Sequence, residues 1–195
     1  MEVQQALEIV SYKLGAKNGE SALHDSVLIK EQVEQAINDK ANDCLRKIDA
    51  KSYMMATKLV KAERLRIARV AGEAFLSNNA TLEGIETTAS GLQYKVLHAG
   101  SGPSPELSNQ GTVHYHGTLI DGIVFDSSTE RGSPATFAVN KVIAGWKEGI
   151  QLMNAGAKFQ FFIPQALAYG DRGTETTVPP FATLIFEVEL LGIEA

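Results

Sequence analysis

The sequence predicts an α+β protein, with an all-α N-terminal part joined by a long helix to a C-terminal domain built on a mainly antiparallel sheet. Three observations carry this. All six Pro, seven of the eight Phe and thirteen of the seventeen Gly lie beyond residue 88. Residues 1–88 hold 12 Lys/Arg and 13 Asp/Glu, against 6 and 10 in residues 89–195. Apolar residues recur every three or four positions in the first part and alternate in the second, which are the periods of helix and strand.

The elements follow in chain order. Val3, Ala6, Leu7, Val10 and Leu14 form one helical stripe. Gly15 and Gly19 near its end are either a stop signal or a close-packing face. A second helix is expected from Ser26 to Lys40, with Val27, Leu28, Val33, Ala36 and Ile37 as its apolar positions. A third runs from Asp49 to Asn78, free of Pro and of Gly until Gly72. At 1.5 Å per residue it would span roughly 45 Å. Its centre, Lys61 to Arg69, is too charged to be buried on all sides, so it is either a connecting rod or half of a helical pair. Residues 79–90 form a hinge between the two compositions.

Beyond the hinge, Leu92–Leu97, Thr112–Ile120, Ala157–Ile163 and Ala182–Leu191 read as strands. The last puts Leu184, Phe186, Val188 and Leu190 on one face. Gly145–Met153 reads as a short amphipathic helix. Gly100-Ser-Gly-Pro103, Asp121-Gly122 and Arg131-Gly-Ser-Pro134 supply the turns. The expected division is 1–48, helical; 49–88, long helix and hinge; and 89–195, the sheet domain.

Composition narrows the function classes. A chain of 195 residues with 44% hydrophobic and 21% charged residues is neither collagen-like, disordered nor a disulfide scaffold. Cys44 is the only cysteine, so an intrachain disulfide and a Cys-based zinc site are both excluded. No apolar run reaches the ~18–20 residues of a membrane span. The start, Met-Glu-Val-Gln-Gln, lacks a basic n-region and an apolar h-region. Cytoplasmic localisation is therefore expected, with the periplasm as the alternative if a signal peptide has been removed. A net charge of −5 argues against general nucleic-acid binding. Lys58, Lys61, Arg64, Arg66 and Arg69 do not share one helix face and Glu63 interrupts them, which reads as a solvated surface.

Standard catalytic patterns are nearly all missing: no Gly-x-Ser-x-Gly, no phosphate-binding Gly-rich loop, no His-Glu-x-x-His. His114 and His116 share one strand face, but two histidines without a third ligand make a poor metal site, and a solvent-facing or hydrogen-bonded pair is the simpler reading. Tyr115 between them points to the opposite face with Val113, which puts a phenol on the core side. What remains is a set of aromatic and apolar residues in turn-rich contexts: Tyr115, Phe125, Phe137, Val142, Ile143, Trp146, Tyr169 and Phe186. By residue type alone these would form the core of a β domain.

Their contexts point further. Val113-His-Tyr-His-Gly-Thr-Leu-Ile-Asp-Gly-Ile-Val-Phe-Asp-Ser-Ser128, Val142-Ile-Ala-Gly-Trp-Lys-Glu-Gly149, Ala168-Tyr-Gly170 and Val178-Pro-Pro-Phe-Ala-Thr-Leu-Ile-Phe-Glu-Val-Glu-Leu-Leu191 occur in order over roughly residues 90–193. This region resembles the macrolide-binding, FKBP-type peptidyl-prolyl isomerases. Ser11-Tyr-x-x-Gly15-x-x-x-Gly19, Gly72-Glu-Ala-Phe-Leu76 and the block Glu83–Tyr94 are similar to the Mip-like bacterial branch of that family.

The resemblance implies an antiparallel sheet wrapped around a short helix, and N-terminal helices that intertwine two chains into a homodimer. It implies a peptidyl-prolyl cis-trans isomerase acting on proline-containing unfolded or partly folded proteins, inhibited by macrolides, with no metal or cofactor. Trp146 would floor the prolyl site, and Tyr115, Phe125, Val142, Ile143 and Phe186 would wall it. The Ile143 N–H and the Tyr169 hydroxyl would bind substrate carbonyls. Asp126 would sit beside the twisting amide, paired with Arg131. A turn-capping role for Asp126 and a plain surface ion pair for Arg131 are the simpler alternatives. Phe137 reads as structural support. Ala135 stands where single-domain relatives carry an aromatic residue, and the loop Gly173–Val178 is more polar than is usual for the branch. The competing function is a non-catalytic peptide-binding or holdase module.

Overall fold

A computed structural model describes residues 50–174 and 176–194. The helices expected over residues 3–14 and 26–40, the pair Gly15 and Gly19, Cys44 and the 1–48 segment lie outside the described residues. The chain divides into two units, Met1–Arg66 and Ile67–Ala195. The boundary falls inside one helix, α1 (Ala50–Asn79). In the first unit the described part of α1 leaves Lys58, Lys61 and Arg66 exposed.

The second unit begins with the last turns of α1. Ala, Leu, Arg and Glu there favour helix, and Arg69 pairs with Glu73 one turn on, Nε to Oε1 at 2.9 Å. The buried stripe packs on the sheet: Phe75 lies 6.0 Å from Phe162, ring to ring. Asn79 and Gln93 are both buried, and each finds a partner. Asn79 Nδ2 donates to Gln93 Oε1 at 2.8 Å, while Gln93 Nε2 donates to the Leu76 carbonyl at 2.9 Å. A buried amide left unpaired would cost about 1–3 kcal/mol, so this pairing fixes where the helix sits. After Asn79 the helix closes in a turn, with the Thr81 hydroxyl donating to the Asn78 carbonyl at 2.7 Å.

The strands are β1 (Ile85–Thr87), β2 (Gln93–His98), β3 (Gln110–Leu119), β4 (Val124–Ser127), β5 (Ala135–Ala138), β6 (Lys158–Ile163) and β7 (Leu184–Glu194). They form one antiparallel sheet in the order β1-β2-β6-β7-β3-β4, and β5 also pairs with β3. One face is apolar by strand period: Val113 and Leu119 of β3, Phe159, Phe161 and Ile163 of β6, and Leu184, Phe186, Val188 and Leu190 of β7 are all buried. Against this face lies α2 (Ala144–Gln151), which contributes Trp146 and Ile150 to the same core. The approach is close. A Cβ on Gly149 would stand 2.7 Å from Phe161 Cε1, so only glycine fits there without a shift.

The long strands and both helices within the described residues match the periodicity to within two residues at their ends, except that β7 runs to Glu194, three residues past the expected Leu191. Three short strands were not visible in the sequence. β1 sits inside the expected hinge, while β4 and β5 flank the 128–134 turn region. At three or four residues each, they are too short to show an alternation.

Gly149→Ala is expected to lower unfolding stability by about 1–3 kcal/mol through overpacking against Phe161. Urea unfolding followed by the fluorescence of Trp146 checks this, and a neutral effect would show that α2 has room to move.

Candidate active site

Trp146 is the centre of the site. Its first-turn position on α2 places it in the core against the apolar face of the sheet, where it is 5% exposed. Three rings surround it at 5.0–5.2 Å: Phe186 and Tyr115 edge-on, and Phe137 tilted. Phe125 extends the cluster, packing edge-on to Phe186 at 5.3 Å. The indole Nε1–H is buried with no acceptor among the described residues. That omission costs about 1–3 kcal/mol. Three ring contacts at about 0.5–1.5 kcal/mol each, on top of the burial of a large apolar surface, offset it.

A polar set rims the aromatic cluster. The Tyr115 hydroxyl donates to Asp126 Oδ2 at 2.6 Å, and Arg131 donates to Asp126 Oδ1 and, at 2.8 Å, to the Tyr115 hydroxyl oxygen. The guanidinium also lies 5.5 Å from the centre of the Tyr115 ring. Burial pushes the Asp126 carboxyl up, but hydrogen bonds from Tyr115 and Arg131 and the Arg131 charge outweigh it, leaving the group below its ordinary value. Burial and the bond to Asp126 push the Tyr115 phenol up, so it stays a donor across the neutral range. The bonds to Tyr115 and Asp126 likewise hold Arg131 charged.

The strand pairing explains how Tyr115 is held. β4 pairs with β3 from His116 to Thr118, and β5 pairs with the same edge from Gln110 to Val113. Between them, on that edge of β3, Tyr115 has no strand partner. Ser128, fully buried, fills the gap: its Oγ accepts the Tyr115 N–H at 2.7 Å and its N–H donates to the Tyr115 carbonyl at 3.0 Å. His114 Nδ1 lies 3.1 Å from the same Oγ, and His116 Nδ1 lies 3.0 Å from Ser127 Oγ. The two histidines thus brace the turn from the outer face as a hydrogen-bonded pair.

The remaining predicted residues fall around this centre. Val142 and Ile143 pack against the core immediately before α2. The Ile143 N–H has no acceptor among the described residues, because it stands at the helix N-cap while its carbonyl accepts from Lys147 at 2.9 Å. Tyr169 is 39% exposed; its hydroxyl has no hydrogen-bond partner among the described residues. Burial and the nearby Asp126 charge push its phenol up. The polar loop closes on itself: Thr174 N–H donates to the Val178 carbonyl, and Thr174 Oγ1 accepts the N–H groups of Thr177 and Val178. Ser128, and the direct contact of Phe137 with Trp146, were not found from sequence. Ser128 carries no periodic signal, and the support role expected of Phe137 does not specify which ring it meets.

The sequence comparisons agree with the geometry. Residues 102–191 match the family model for FKBP-type peptidyl-prolyl cis-trans isomerases, and residues 7–96 match the model for the domain amino-terminal to them. The chain is 50% identical over 134 residues to an FKBP-type 22 kDa peptidyl-prolyl cis-trans isomerase of Escherichia coli, covering 69% of this chain and 65% of that protein, less than two thirds of its length. It is 42% identical over 168 residues to the outer membrane protein MIP of Legionella longbeachae, covering 86% of this chain and 68% of that one. The crystal structure of FkpA from Escherichia coli superposes with a TM-score of 0.68 at 32% identity, over 100% of this chain and 83% of that one. With the aromatic floor, the polar rim and both family regions present in one chain, this protein belongs to the FKBP-type peptidyl-prolyl cis-trans isomerase family.

Proposed function

We propose that this chain is a peptidyl-prolyl cis-trans isomerase that accelerates X–Pro isomerisation during protein folding, working as a homodimer joined through its N-terminal helices. The observation that carries the catalytic reading is Trp146 ringed by Tyr115, Phe186 and Phe137, with Asp126 held at the rim by Tyr115 and Arg131.

The chemistry suits such a pocket. An X–Pro bond prefers trans by only about 0.5–1 kcal/mol, yet interconverts over tens of seconds or longer. The barrier of about 18–20 kcal/mol is lost amide resonance. The planar amide is charge-separated, and the twisted one has its lone pair back on nitrogen. A dry, aromatic surround therefore favours the twisted state relative to water, which is catalysis by differential binding. The prolyl ring rests on Trp146, walled by Tyr115, Phe125, Val142, Ile143 and Phe186. The free Ile143 N–H and the Tyr169 hydroxyl hold substrate carbonyls on either side. Asp126 sits beside the twisting amide, and its bonds to Tyr115 and Arg131 keep it ionised and fixed. Macrolide inhibitors would occupy the same apolar floor. The N-terminal family region supports the dimer, and two linked pockets suit the capture of proline-containing unfolded or partly folded chains.

In a protease-coupled proline-peptide assay, the wild type is expected to be active, with Asp126→Ala and Trp146→Leu each reducing kcat/KM at least tenfold, about 1.4 kcal/mol of transition-state stabilisation. An inactive wild type overturns the reading.

The pH profile follows from Asp126. Its folded-state pKa is depressed, so its contribution is complete above the ordinary carboxylate range and is lost only as pH falls through the lowered value. Activity should stay level from neutral pH to about pH 5 and fall only below about pH 4. Arg131→Ala should move that fall to higher pH in the same assay.

Light scattering of the full chain should give a mass twice the 21.0 kDa of one copy. A monomeric mass would remove the dimer from the proposal while leaving the pocket intact.

A further inference from the structure

Gly72 is the only glycine in α1, and glycine inside a helix costs roughly 0.5–1 kcal/mol relative to alanine. The contact across from it accounts for its presence. A Cβ on Gly72 would stand 2.6 Å from Thr183 Oγ1 and 3.8 Å from the Phe181 carbonyl oxygen. The helix therefore meets the buried Thr183, in the segment that leads into β7, at a point where an added Cβ would force the Thr183 hydroxyl to shift.

That segment is strained. Phe181 has φ +62°, and among the described residues it is the only non-glycine with a positive φ. For a bulky side chain this conformation costs about 1–2 kcal/mol, so something must hold it. On one side Thr183 is pinned by α1. On the other, the Phe181 N–H donates to the Gly170 carbonyl at 2.8 Å. Gly170 follows Tyr169 directly, and its own N–H donates to the Gln165 carbonyl at 2.9 Å. The Tyr169 carbonyl accepts from the Gly173 N–H at 3.2 Å. A continuous set of short contacts thus runs from α1 through Thr183 and Phe181 to the backbone that carries Tyr169.

We propose that Gly72 and Thr183 are positioning residues for Tyr169: the seating of α1 on Thr183 sets where the Tyr169 hydroxyl stands over the pocket. The substrate contact of Tyr169 rests on the isomerase reading above, but the mechanical link to α1 does not. Displacing Thr183 lets the left-handed Phe181 relax toward ordinary backbone, which releases its bond to Gly170 and loosens Tyr169. Trp146 and the Asp126 rim belong to other elements and stay in place, so the effect falls on substrate binding.

The test is a double-mutant cycle in the full chain, with Gly72→Ala, Thr183→Ala and the two combined. Each variant is read by kcat and KM on a proline peptide and by the amide NMR shifts of Tyr169 and Gly170. Gly72→Ala drives a methyl into Thr183 Oγ1 and should raise KM roughly tenfold with little change in kcat, while shifting the Gly170 amide. Thr183→Ala removes the hydroxyl and the γ-methyl without a clash and should raise KM about threefold. In the double variant the added methyl takes the space of the lost hydroxyl, and both readouts should return to within about twofold of wild type. Unchanged Tyr169 and Gly170 shifts in either single variant overturn the proposal. So does a double variant no better than Gly72→Ala alone. If Gly72→Ala does not fold, Thr183→Ala and the double variant decide between the same two results. An inactive wild type would overturn the isomerase reading, and the amide shifts would still decide the link from α1 to Tyr169.

Discussion

Because α2 packs directly on the side chains of β6, with Gly149 against the Phe161 ring and Gly145 against Ile163, the indole of Trp146 is held against the apolar face of the sheet. Everything else in the site is arranged around that indole. Tyr115 and Phe186 come from neighbouring strands and meet it edge-on, because the antiparallel register puts Tyr115 opposite Val188 and Phe186 opposite Gly117. Phe137 reaches it from the short β5, and Phe125 joins through Phe186. A larger residue at Gly149 would lift the helix and open the floor, so the packing of the core and the shape of the pocket are one constraint.

The rim depends on a different device. Tyr115 sits where the edge of β3 has no strand partner, and Ser128 supplies the missing hydrogen bonds from the turn that also carries Arg131. The same few residues therefore satisfy the backbone and deliver the guanidinium to Asp126. The result is a carboxylate held ionised beside a largely apolar floor, a combination that is stable only because each oxygen has a charged or phenolic donor. On the outer face, His114 and His116 brace that turn through Ser128 and Ser127, which accounts for two histidines that had no evident chemistry.

Much of this was legible beforehand where a period or a fixed local pattern carries it. The alternation around Tyr115 put its phenol on the core side with Val113, and the face Leu184, Phe186, Val188 and Leu190 is buried as the spacing requires. The single Trp in an amphipathic turn marked α2. Resemblance to the isomerase family brought Asp126, Arg131, Ile143 and Tyr169 into one candidate site, which residue types alone could not do. Ser128, the strands β1, β4 and β5, and the contact of Phe137 with Trp146 were not legible. A serine or a strand of three or four residues has no periodic signature, and the Phe137–Trp146 contact joins two separate elements.

The amino-acid sequence by itself determined the split between a Pro-free helical part and a sheet domain, the faces of its long strands, and the family to which its blocks belong. These follow from local propensity and spacing, which act along the chain. Only the tertiary structure decided how the edge of β3 is completed, which donors hold Asp126, and that the lone glycine of α1 sits against Thr183. Those outcomes come from close approach between segments far apart in sequence, where steric fit and the need to pair buried polar groups choose the partner.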